Sequence, residues 1–229
     1  MNGPPVALVH GWGSTAERTW PDSGLTGGLA AAGRAVLRLP LPGHRPGASR
    51  RPEDYARIDT DLETGLSDQA PYGSVDAVGF SLGGKLLLRI ASRRPDKFRR
   101  LAVLGVGANL FASEAGAAVS TALRDGPPPG AGHDFVSVVR EAQSCGVPAE
   151  ALAAVITRPP SLLRPEDLAA VTLPVLLVVG DDDTIAGDPA PVAAALPDAR
   201  LVRVPGLAHA ETPFDVRVHD LVLEHLSQP

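Results

Sequence analysis

Cysteine, lysine and aromatic side chains are all scarce in this 229-residue chain. Cys145 is the only cysteine, which excludes an internal disulfide and any CxxC metal or redox pattern and fits a reducing compartment. Lysine occurs only at Lys85 and Lys97, and Lys+Arg 21 against Asp+Glu 26 gives a formal net charge of −5. With no excess of positive charge to neutralise a phosphate backbone or hold an anionic membrane, neither nucleic acid nor a membrane is an expected partner. Absent too is any apolar run approaching the roughly 18 residues of a membrane span, and the first ten residues lack the basic start of a secretion signal. The expected location is the cytoplasm. Aromatics make up 4% of the chain, so a Trp or Phe beside a motif is informative as pocket lining.

What is present is an apolar content of 44%, enough to build a core. Short runs rich in Val, Leu and Ala at 6–9, 35–39, 75–78, 101–104 and 174–179 show little alternation, the pattern of strands covered on both faces. A sixth run, 200–204, alternates and reads as an edge. Helical patterns lie between them, at 52–69, 82–94, 189–196 and 214–226. This alternation implies βαβ units, a mostly parallel, doubly wound sheet and an α/β fold in one domain over residues 1–229. Residues 106–164 break the rhythm with amphipathic stretches at 114–123, 134–145 and 149–156 around a Gly/Pro-rich segment, and read as a helical cap inserted into that domain. Ligands in such sheets sit beyond the carboxyl ends of the strands, where the cap would cover them.

Gly79-Phe80-Ser81-Leu82-Gly83 stands where the third run ends and a helix begins. A sharp strand-to-helix turn strains its central residue, and flanking glycines let the backbone pass closely, so Ser81 Oγ would project above the sheet. A serine hydroxyl is a weak nucleophile without a base and a group that orients the base. Of the six histidines, His209 lies on a loop just past the last strand, whereas His219 and His225 fall in the final helix and His133 in the insertion. His44 is read as a structural anchor. The run ending Gly180-Asp181-Asp182-Asp183 places three carboxylates at a strand end; one would point inward and two outward, because like charges resist burial together. The N–H of Leu82, at a helix start, and that of Trp12, in His10-Gly11-Trp12-Gly13, are the candidate donors for an oxyanion.

Together these motifs resemble the α/β-hydrolase superfamily, specifically its small capped esterase- and thioesterase-like members, over nearly the whole chain. The resemblance implies an α/β-hydrolase fold of about six strands, since the chain starts close to the oxyanion strand. It further implies Ser81 as nucleophile, Asp183 as acid with Asp181 and Asp182 as fallbacks, His209 as base, and Trp12 and Leu82 as oxyanion donors. One loop departs from the family pattern: Pro40-Leu41-Pro42-Gly43-His44 carries Pro40 where the family has Asp. The activity implied is hydrolysis of a small apolar carboxylic ester or thioester, without metal or cofactor, in a pocket lined by Trp12, Phe80, Phe111 and Phe135. Other chemistry on the same frame stays open: C–C bond hydrolysis, lactone opening, perhydrolysis, biosynthetic cyclisation, or ligand binding by a non-enzymatic receptor.

Overall fold

The structure, a computed structural model, describes residues 3–70 and 73–228. Six strands form one sheet: β1 (Val6–Val9), β2 (Val36–Leu39), β3 (Val75–Phe80), β4 (Phe98–Leu104), β5 (Val175–Gly180) and β6 (Ala199–Val204). Their order is β2-β1-β3-β4-β5-β6 and each neighbouring pair is parallel. Strands β1, β3 and β5 are buried along their whole length, as their unbroken apolar runs require, while the alternating β6 takes an edge.

Alternate strand residues feed two cores, one on each face. Ala7, Val9, Ala77 and Val103 face α3 (Ile58–Gln69) and α4 (Leu82–Arg93); Leu8, Val78, Leu104 and Val178 face α9 (Val216–Ser227). Two helices that the apolar periodicity does not reveal, α1 (Ala16–Thr19) and α2 (Gly24–Ala31), connect β1 to β2. Three glycines in α2 weaken its own preference for helix, and packing supplies what propensity lacks. A Cβ on Gly28 would lie 2.9 Å from Leu223 Cδ1, so the missing side chain lets α2 settle against α9.

Between β4 and β5 the chain forms α5 (Gly116–Asp125), α6 (His133–Ser144) and α7 (Ala149–Ile156) before a 3-10 turn at Pro165–Ala170 returns it to the sheet. The short α8 (Ala190–Ala195) joins β5 to β6. At the opposite, amino end of the sheet, fully buried Asp76 accepts from Arg34 and, at 2.9 and 2.7 Å, from Arg99; both arginines also donate to the Leu226 carbonyl, tying β3 to the end of α9. No helix among the described residues is long and apolar enough to cross a membrane. Because β1 lies between β2 and β3, the loops leaving β1 and β3 diverge and open a crevice at the carboxyl edge.

Candidate active site

Ser81 occupies the turn between β3 and α4 with φ 50° and ψ −117°, and among the described residues no other non-glycine has positive φ. Such strain persists only where the surroundings enforce it. Here the Ser81 N–H donates to Leu104 O at 2.8 Å, continuing the sheet, while Ser81 O accepts the Lys85 N–H at 3.0 Å, starting the helix. The flanking glycines are sterically required: a Cβ on Gly79 would meet Gly84 Cα at 2.7 Å, and one on Gly83 would meet His10 O at 2.5 Å.

His209 follows β6 at the start of a 3-10 turn and is 1% exposed. Its Nε2 lies 3.0 Å from Ser81 Oγ and its Nδ1 2.7 Å from Asp183 Oδ2. Asp183 is the buried member of its acidic triplet; Asp181 and Asp182 are exposed. Asp183 Oδ1 accepts the N–H groups of Ile185 and Ala186 at 2.9 and 2.8 Å, which fixes the carboxylate and leaves Oδ2 for the imidazole. The Phe80 ring packs on the His209 ring with centroids 5.0 Å apart.

Trp12, in the loop after β1, lines the same cavity as Ser81 and His209, and two histidines hold the loop. His10 Nε2 accepts the Leu41 N–H at 3.0 Å and its Nδ1 pairs with Gly11 O at 2.8 Å; His44 Nε2 accepts the Gly13 N–H at 3.1 Å. A ring nitrogen that accepts carries no proton, so both rings are neutral with hydrogen on Nδ1. Burial pushes His10 down to about 4 and His44 to about 3, the latter helped by its neighbour His10. Leu82 occupies the first position of α4, where a backbone N–H has no partner within the helix.

Ser81, His209, Leu82 and Trp12 open on one cavity of about 330 Å³. Its apolar lining comes from Phe80 and from the helices between β4 and β5, with Phe135, Val138, Val139, Val119 and Ile156. Phe111 is not part of that lining: it closes the 3-10 turn after β4 and packs, half-buried, against the core, a correction to its sequence-based placement. His133 is largely exposed, whereas His219 and His225 lie in α9, with the His219 ring bonded to Pro213 O.

Sequence reasoning misses one residue that touches this group. Asp134, 2% exposed in the first turn of α6, accepts the Thr184 N–H at 2.7 Å, the Thr184 hydroxyl at 2.8 Å and the His209 N–H at 3.0 Å. It thus ties α6 to both loops that supply the Ser81 hydrogen-bond line. Its partners lie 50 and 75 positions away, and the only local signal is an acid at a helix start, which is common in any protein.

With fold and geometry established, the chain belongs to the alpha/beta hydrolase family, whose model matches residues 6–222. NocK of Nocardia uniformis subsp. tsuyamanensis, a protein named as an esterase, is 39% identical over 113 residues, covering 44% of this chain and 32% of NocK. The pimeloyl-[acyl-carrier protein] methyl ester esterase of Aromatoleum aromaticum is 38% identical over 105 residues, covering 46% of this chain and 38% of the relative. The chain therefore spans between about a third and two fifths of the length of these curated relatives. Among solved structures, the enol-lactonase of Burkholderia xenovorans LB400 superposes with a TM-score of 0.79 at 20% identity, covering 100% of this chain and 93% of the lactonase, a likeness of fold.

Proposed function

We propose that this chain is a serine hydrolase that cleaves a carboxylic ester or thioester through an acyl-enzyme intermediate, with residues 106–164 as the cap over its site. The observation that carries this reading is the unbroken line Asp183–His209–Ser81, ending at a hydroxyl that lines an apolar cavity. Esterase relatives, including one named for a methyl ester, support the same reaction class. Ser81 Oγ attacks the carbonyl carbon as His209 Nε2 takes its proton, and Asp183 holds the imidazole and stabilises its cationic form. The N–H groups of Leu82 and Trp12 receive the oxyanion, Leu82 with the added field of the α4 N-terminus. His209 returns the proton to the departing alcohol or thiol. A water then repeats the sequence on the acyl-serine, releasing the acid and regenerating Ser81. No step calls for a metal or cofactor, and the apolar lining selects a small-molecule substrate.

Ser81→Ala is the direct test. Hydrolysis of short p-nitrophenyl esters should fall at least about a thousandfold, and a fluorophosphonate should label wild-type protein but not the variant. Undiminished hydrolysis by the variant would overturn the assignment.

A further inference from the structure

The cavity is apolar except along one stretch of wall, where Lys85, Asn109, Ser113 and Glu114 line it. Lys85 stands about one turn beyond Ser81 on α4 and lines the same cavity. It is 8% exposed. Its Nζ donates to Asn109 O at 2.9 Å and lies 3.7 Å from Glu114 Oε1, beyond hydrogen-bond reach, so an ammonium with three donors retains capacity toward the cavity.

Glu114 pairs with this lysine but is shared. Arg158, also buried, reaches the same Oε1 at 3.3 Å. A further buried cation, Arg89, follows Lys85 by one turn of α4, and its Nε has no hydrogen-bond partner. The other acid near Arg89, Asp59, is taken by Arg93 at 2.7 Å. Burial accordingly lowers the proton affinity of both Lys85 and Arg89. For packing alone, an aliphatic side chain would complete the wall without the cost of burying charge. Two buried cations, Lys85 and Arg158, share one carboxylate, which leaves a positive excess at the cavity wall.

We infer that Lys85 forms an anion subsite, and that the substrate is the half-ester of an aliphatic dicarboxylic acid, its ester at Ser81 and its free carboxylate at Lys85. This rests on the ester hydrolysis proposed above and names its substrate class. Water and half-ester go to the dicarboxylic acid and an alcohol. The apolar wall between serine and lysine accepts the methylene chain.

The test compares mono-p-nitrophenyl adipate and suberate with the p-nitrophenyl methyl diesters of the same acids, using wild-type protein, Lys85→Met and Lys85→Arg. Wild type should prefer the half-ester in kcat/KM by at least tenfold, through KM. Lys85→Met should collapse that ratio at least tenfold, and Lys85→Arg should keep most of it. A wild-type preference for the diester, or a ratio that Lys85→Met leaves unchanged, overturns the inference. If wild type hydrolyses none of these esters, the reaction reading fails instead. Binding then decides separately: monomethyl suberate should raise the Tm of Ser81→Ala protein and dimethyl suberate should not, and equal shifts overturn the subsite.

Discussion

At His10 and His44 a ring nitrogen accepts a backbone N–H, so the loop after β1 keeps its path only while both rings are neutral. The folded values of about 4 and about 3 lie below the roughly 6.5 of an unfolded histidine. Between those values the unfolded chain binds protons that the folded chain refuses. This contribution to stability is therefore complete above about pH 6.5 and is lost as pH falls towards 4 and then 3, at up to about 1.4 kcal/mol per pH unit for each ring. Urea midpoints measured from pH 7 to 4 should decline for wild type. His44→Gln, whose amide oxygen can still accept the Gly13 N–H, should be less stable at pH 7 and decline less steeply. Equal slopes for the two proteins would show that His44 protonation does not drive the loss. Gly83→Ala belongs at the same scale: its methyl would overlap His10 O, so the variant should lose both stability and the geometry around Ser81. Thermal melting with p-nitrophenyl ester turnover reads both effects.

Helix α6 acts as a strap. Its first turn holds Thr184 and His209 through Asp134, its middle lines the cavity, and its last turns meet the loop after β1, where Glu141 accepts from Ser14 and Arg18 and Gly13 leaves room for Ala142. Asp134→Ala removes three hydrogen bonds to one buried carboxylate. It should lower kcat about 10- to 100-fold with KM nearly unchanged, since small misplacements of a base are costly; Asp134→Glu should recover part of the loss. A fall in Tm with kcat intact would make the contact purely structural. The strands were readable because burial on both faces leaves unbroken apolar runs, and the meeting of Ser81, Asp183 and His209 because strand ends in chain order converge on one edge. Asp134 and the Glu114–Arg158 pair were not readable, since their partners are set by how the cap folds over the sheet. Phe111 misled for the same reason: an aromatic within the inserted segment can face the core as readily as the cavity. Helix α2 was hidden because its glycines serve packing against α9 rather than helix formation.

Across the molecule, the two ends of the sheet are divided between chemistry and cohesion. The carboxyl end carries the cavity; the amino end carries Asp76 with Arg34 and Arg99, a buried network joining β3 to α9. Removing one member of such a network leaves charge buried without a counterpart. Asp76→Ala should therefore cost about 3–5 kcal/mol, read as a lower urea midpoint, while turnover per folded molecule stays near wild type. Comparable losses of stability and specific turnover would show that the two ends are coupled. The proposed cap, residues 106–164, lies wholly between β4 and β5 and interrupts neither strand. That makes it a cassette, exchangeable in principle without rewiring the sheet. The strap sets the condition on any such graft: Phe135, Val138 and Val139 can drift to suit new substrates, but a foreign cap that brings no carboxylate to Thr184 and His209 would sit on an intact scaffold above an untethered histidine. Diversification of this chain thus has freedom in the cavity-facing positions of α6 and almost none at Asp134.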